Sequence, residues 1–146
     1  MNPGWKVACA AAALVTLVAC EKARLDDEVR RLCAIDGGVK VYEAVKLPPE
    51  KFDKLGSVSI PSKDKAKPED EYYYEWNVEY LKQGNPSLVR SHHRVIRRAD
   101  AKVLGESIRY SRRGGDLPSP MHDSHFACPE VRQDEPGLER SIFQRE

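Results

Sequence analysis

No apolar run in the sequence reaches the roughly 20 residues that a bilayer-spanning helix needs. The longest, residues 7–19, contains Thr16 and is followed at once by Cys20, Glu21, Lys22 and Arg24, so a retained membrane span is not expected. There is no excess of either charge, since 24 Lys and Arg stand against 23 Asp and Glu for a formal net charge of +1. Attraction to nucleic acid or to a membrane surface through the field of the whole protein is therefore excluded. Also missing are a serine elbow, a glycine-rich phosphate loop and an HExxH helix, and no spacing singles out a pair among the many carboxylates. The expectation is a protein with no catalytic residue and no cofactor. Neither an internal repeat nor a heptad pattern is present, and 146 residues suffice for one ordinary domain with a modest core but not for two.

What is present begins at the N-terminus. Residues 1–6 carry the free amine and Lys6, residues 7–19 are apolar apart from Thr16, and small residues lead up to Cys20. This is the pattern of a secretory signal peptide over residues 1–19. The stretch Leu17-Val18-Ala19-Cys20 resembles the lipobox of bacterial lipoproteins. That resemblance implies acylation of the Cys20 sulfur, cleavage on its N-terminal side, and a second acylation on the amine so released. Each buried methylene contributes about 0.8 kcal/mol, so one chain anchors marginally and two or more anchor stably. Glu21 is not the aspartate that retains many such proteins in the inner membrane, so the resemblance implies an outer-membrane anchor with the domain facing the periplasm. The alternative is ordinary cleavage after Ala19, leaving Cys20 as a free thiol in a soluble protein. The segments CAIDGGVKVYEAVKLP and YSRRGGDLP further resemble those of small uncharacterised lipoproteins of proteobacteria, a likeness that carries no activity.

Of four cysteines, Cys9 would leave with the signal peptide and Cys20 would carry lipid. Cys33 and Cys128 then remain as a pair in an oxidising compartment, where a disulfide is expected. The competing reading is a reactive or metal-bound thiol pair.

Along residues 21–35, Leu25, Val29, Leu32 and Cys33 form one helical stripe with Arg24, Glu28 and Arg31 outside it. Asp36-Gly37-Gly38 stops that helix. Residues 39–46 read as a strand ended by Pro48 and Pro49, residues 50–55 as one or two helical turns, and residues 57–60 as a short strand. Residues 62–71 hold no large apolar side chain and read as an exposed, mobile loop. Residues 72–81 carry the strongest strand signal, with Tyr72, Tyr74, Trp76, Val78 and Tyr80 alternating with Tyr73, Glu75, Asn77 and Glu79. Residues 84–87 are turn chemistry and residues 88–98 return. Placing Leu81 opposite Leu88 sets Glu79 against Arg90, Asn77 against His92, Glu75 against Arg94, Tyr80 against Val89 and Tyr74 against Val95, a set of compatible pairs that a one-residue slip destroys. Residues 103–113 form a third strand of open register: Ile108 opposite Val95 brings Glu106 to Arg97 but sets Arg94 against Arg109. Residues 114–129 must run back until Cys128 reaches Cys33, and residues 130–146, with little apolar content beyond Val131, Leu138, Ile142 and Phe143, read as a loose tail. The fold class is α+β, an antiparallel β-meander packed against an N-terminal helix with one disulfide. The aromatic face of the meander is expected beneath the helix, and the domain covers residues 20–129.

Arg90, Arg94, Arg97 and Arg98 with His92 and His93 resemble a basic stripe for an anionic partner, but cross-strand carboxylates account for most of it. His93 is expected beside Trp76 as a core histidine. Arg109, Arg112 and Arg113 lack obvious partners; they read first as a solvated strand end, and otherwise are the candidates for meeting phosphate or carboxylate groups of lipopolysaccharide, peptidoglycan or a protein. His122, Asp123, His125 and Cys128 gather metal-ligand types without the spacing of a strong motif, so His122 and His125 are weak candidates and no metal is assigned. Tyr72, Tyr74, Trp76 and Tyr80 read as core rather than as a sugar-stacking platform. The functional expectation is a non-enzymatic, membrane-anchored lipoprotein that binds another envelope component and no nucleic acid. An inhibitor or immunity lipoprotein against an envelope-attacking enzyme or toxin is the alternative. A third reading, an enzyme or metal carrier, would use residues 122–128.

Overall fold

The computed structural model of the protein describes residues 3–116, 124–129 and 137–146, with side chains from Cys20 onward. The first element, α1 (Pro3–Asp36), contains the helix that the stripe predicts and extends it back through the apolar N-terminal run. Among the described residues no helix is long and apolar enough to cross a membrane. Its stop follows the predicted chemistry. Gly37 donates its N–H to the Cys33 carbonyl at 2.8 Å, and Gly38 takes φ of +108°, a conformation that side-chain-bearing residues disfavour. The chain is thereby turned into β1 (Gly38–Val41).

A five-stranded sheet follows, with β3 (Tyr72–Lys82), β4 (Ser87–Arg97) and β5 (Lys102–Arg113) as a continuous antiparallel meander. The order is β1-β5-β4-β3, and β6 (His125–Cys128) also pairs with β5. The β3–β4 register sets Glu79 opposite Arg90, Asn77 opposite His92, Glu75 opposite Arg94, Tyr80 opposite Val89 and Tyr74 opposite Val95, as the pairing argument requires. At its turn end a bulge brings Lys82 rather than Leu81 opposite Leu88. In β4–β5, Arg94 faces Glu106 and His92 faces Ile108, with a bulge between Val95 and Ile96. This register avoids the Arg94–Arg109 opposition, since like charges directly across a ladder repel.

The apolar stripe of α1 lies on the face of the sheet that carries the even-numbered β4 and β5 side chains. Leu25 and Val29 bury against Leu88, Ile108 and Tyr110, flanked by Leu32, Cys33, Phe126 and Cys128. The Cys33–Cys128 disulfide joins α1 to β6, with a Cα–Cα distance of 5.9 Å across a sequence separation of 95. Polar side chains of the same helix dock beside this core: Asp26 on Arg112, and Asp36 on Tyr110 and Arg90.

The position of α1 overturns the expectation for the aromatic face. The odd-numbered side chains of β4 and the even-numbered ones of β3 point away from α1, so it cannot cover them. Tyr72 and Tyr74 are half-buried, whereas Trp76, Val78 and Tyr80 are 68%, 48% and 54% exposed. What covers part of this face is the C-terminus. Instead of a loose tail, residues 138–145 form α2 (Leu138–Ile142) and β7 (Phe143–Arg145). Leu138, Ile142 and Phe143 are buried with Leu47, Val95 and Leu104 in a second core. Ile142 can reach the sheet because Gly105 has no Cβ; one built there would lie 2.9 Å from Ile142 Cδ1 and from the Lys40 carbonyl oxygen.

The strand expected over residues 39–46 is broken. Tyr42 and Glu43 both donate to the Leu104 carbonyl, at 2.8 and 3.0 Å, and the chain then leaves the sheet as β2 (Val45–Leu47), which pairs in parallel with β7. Residues 50–55 contribute only the end of a 3-10 turn, Pro49–Lys51, and residues 57–60 only an isolated bridge from Val58 to Phe52. Residues 62–71 are largely exposed, as expected, and are tied at their start to the outer edge of β3. The fold class is therefore α+β, with an antiparallel meander, an N-terminal helix and one disulfide.

Candidate functional site on the open sheet face

Period-two alternation brings the exposed part of the sheet into one surface. From β3 come Tyr74 and Trp76, from β4 Ser91 and His93, from β5 Ser107, Arg109, Ser111 and Arg113, and from β6 His125 and Ala127. Glu139 of α2 closes one end of the resulting groove, whose volume is about 660 Å³. Its floor is serine, its β3 wall is aromatic, and its far side is cationic. Arg109 and Arg113 have no ion-pair partner among the described residues. At the α2 end the His93 ring meets Tyr74 edge-on, with centroids 5.0 Å apart, and its Nε2 stands 3.6 Å from Glu139 Oε1. That nitrogen is buried without a hydrogen-bond partner. His93 faces Trp76 in the ladder, as expected, but at the end of a groove rather than in a core.

A larger, shallower depression of about 810 Å³ lies on the other side of β3, against Lys63, Glu75, His92 and Arg94. The charges on its β3–β4 side are already matched. Glu75 takes Lys63 and Arg94 at 2.6 Å each, and the Lys63 hydrogen bond, with Arg94 adding to it, holds the Glu75 carboxyl below its usual range. Glu106 accepts from the Tyr42 hydroxyl and lies 2.7 Å from His92 Nε2; the tyrosine bond, outweighing burial, lowers its pKa. With Lys63, Glu75, His92 and Arg94 all engaged, the β3–β4 side of the depression leaves little charge for a ligand.

The same accounting disposes of the basic stripe. Arg94 pairs with Glu75, and Arg97 pairs with Asp100 and Glu43; the Arg97 bond draws the Asp100 carboxyl down to about 2. Arg98 donates to the Asp70 carbonyl at 2.8 Å. Arg90 departs from expectation: its carboxylate is Asp36 on α1, at 3.4 Å, with the Tyr110 hydroxyl at 3.1 Å, and not Glu79 across the ladder.

The three arginines proposed together as a partner surface are divided by the sheet. Arg109 and Arg113 line the groove. Arg112 projects to the opposite face and is 2% exposed, so it is not available to a partner. Its guanidinium donates to Asp26 Oδ1 at 2.7 Å, to the Gly114 carbonyl at 2.6 Å, and to the Ser124 carbonyl and hydroxyl at 3.1 and 3.0 Å. Strand parity separates it from its two neighbours, a consequence the sequence already carried. Cys20 is exposed on α1, ahead of the part of the helix that packs on the sheet. Of the weak metal candidates, His125 lines the groove, while His122 and Asp123 lie outside the described residues. Among the described residues no group of three metal-ligating side chains converges, and the Cys128 sulfur is in the disulfide.

Sequence reasoning missed Ser91, Ser107, Ser111 and Glu139 as parts of the site. The alternation Ser107-Ile108-Arg109-Tyr110-Ser111 was a usable signal, because it marks one face of β5 as polar throughout. Glu139 was hidden by the assignment of its segment to a tail. No protein-family model, curated protein or solved structure matches the chain.

Proposed function

We propose that the protein is a lipid-anchored, non-enzymatic component of the bacterial envelope, which uses the groove on its open sheet face to hold an anionic glycan of that envelope. The single observation that carries the binding reading is the composition of the groove. Two arginines without carboxylate partners among the described residues stand across a serine floor from Trp76 and Tyr74. Arginine recognises phosphate and carboxylate through paired N–H donors, and an exposed indole offers a flat apolar face to a sugar ring. The anchor rests on Leu17-Val18-Ala19-Cys20 after an apolar run, and the exposed position of Cys20 is compatible with modification there.

The test is co-sedimentation of the full chain with purified peptidoglycan sacculi, and capture on immobilised lipopolysaccharide, for the native protein, the Arg109→Glu/Arg113→Glu variant and Trp76→Ala. Charge-assisted hydrogen bonds contribute about 1.5–3 kcal/mol each, so the double reversal should weaken binding to one of these glycans by at least about tenfold. Loss of the indole should weaken it by a smaller factor. Failure of the native chain to bind either glycan, or retention of binding by the double variant, would refute the glycan reading.

A further inference from the structure

The outer edge of β3 is the feature that the groove does not use. Tyr74 directs its N–H and C=O outward, to the Pro61 carbonyl at 2.9 Å and from the Lys63 N–H at 2.8 Å. Backbone direction alternates along a strand, so Trp76, Val78 and Tyr80 also present their N–H and C=O groups outward, and among the described residues nothing pairs with them. Every residue from Trp76 to Leu81 is exposed. Edge strands of monomers are normally blunted by lysine, proline or a covering segment. This stretch contains neither residue, and Lys82 is turned away to the Pro86 carbonyl at 2.8 Å and to Glu21 at 3.0 Å.

We infer that this edge is the contact for a second copy of the chain, the two β3 strands pairing antiparallel about a twofold axis at Val78 to continue one sheet across both protomers. The charges and the occupied Tyr74 edge together select this register. Centred on Val78, Val78 faces its own copy, Trp76 faces the partner's Tyr80, Asn77 faces Glu79 and Leu81 faces Glu75. All three outward-facing residues are paired and no like charges are opposed. Centring on Asn77 sets Glu75 against Glu79 and directs Tyr80 to Tyr74, whose edge is taken by residues 61–63. A centre at Glu79 opposes that residue to its own copy, and one at Trp76 again needs the occupied Tyr74 edge. At Tyr80 the centre would leave Trp76 unpaired. In the Val78 register the partner's Tyr80 stands beside Trp76, so each protomer lengthens the aromatic wall of the other's groove.

The experiment is thiol crosslinking of the full chain in intact cells with a short bismaleimide, comparing Val78→Cys with Leu81→Cys. The unsubstituted chain supplies the background from Cys20. About the proposed axis Val78 meets its copy, whereas Leu81 is separated from its own by six residues, roughly 20 Å. A covalent dimer from Val78→Cys in large excess over Leu81→Cys is expected. Adding Asn77→Glu, which places like charges opposite Glu79 in both halves of the interface but faces only His92 within the protomer, should reduce that dimer about fivefold. Equal yields from the two cysteine positions, or a yield indifferent to Asn77→Glu, would overturn the assignment.

Discussion

Replacing Cys33 and Cys128 together by serine is expected to lower the free energy of unfolding by about 4 kcal/mol. The bridge closes a segment with a sequence separation of 95 that contains the whole meander. The conformational freedom removed from the unfolded chain by such a loop corresponds to about 4–5 kcal/mol, an upper figure from which native strain subtracts. A domain of this length is stable by only about 5–15 kcal/mol, so the loss is a large share of the total. It should also have a location. The bridge fastens α1 to β6, and around it Leu32, Phe126 and the two half-cystines only partly bury beside Leu25 and Val29. The α1 contact should therefore fray before the β3–β4 ladder does. Urea unfolding with and without reductant measures the energy, and hydrogen exchange along α1 measures the location. A loss below about 1 kcal/mol would mean that the apolar contact alone fixes the helix.

Arg112→Ala should be comparably damaging, at about 3–5 kcal/mol, because it breaks a buried ion pair from one side. Arg112 supplies hydrogen bonds to Asp26, to the Gly114 and Ser124 carbonyls and to the Ser124 hydroxyl. Its removal leaves the Asp26 carboxylate and the Gly114 carbonyl without their donors, the Ser124 carbonyl keeping the Gly114 N–H at 3.0 Å, and each buried group so stranded costs about 1–3 kcal/mol. Arg113→Ala, one residue along on the exposed side of the strand, should change stability by less than about 0.5 kcal/mol. Removing Asp26 as well should recover part of the loss, since the stranded charge goes with it. Denaturant titrations of the three variants would decide it, and similar values for Arg112→Ala and Arg113→Ala would contradict the burial argument.

The sequence disclosed the pairing of β3 with β4 because opposite charges recur at two positions along the two strands, Glu79 with Arg90 and Glu75 with Arg94, with Asn77 and His92 between them, so one register satisfies all of them. The pairing of β4 with β5 was not fixed in the same way. β5 carries one carboxylate, Glu106, and the bulge between Val95 and Ile96 shifts the ladder at the end where a second constraint would have acted. Alternation identified the aromatic face of β3 but could not say which face α1 covers. Groups outside the apolar stripe add to that choice: Asp26 and Asp36 find Arg112, Tyr110 and Arg90 on one side of the sheet. Leu138, Ile142 and Phe143 are visible as apolar residues but not as core, because a helix of five residues is too short for a period to register. Their importance comes from the space left by Gly105 and from pairing with β2, both contributed by distant parts of the chain. The groove depends on both of these features of the fold at once. Moving α1 to the other face exposes Trp76, and folding the C-terminus back supplies Glu139.

The most direct measurement is mass spectrometry of the N-terminal peptide of the protein recovered from bacterial membranes. A peptide beginning at Cys20, with acyl groups on its sulfur and its amine, is the expected result. A chain that still begins at Met1, or a Cys20 with an unmodified thiol in a protein recovered from the soluble fraction, would contradict it.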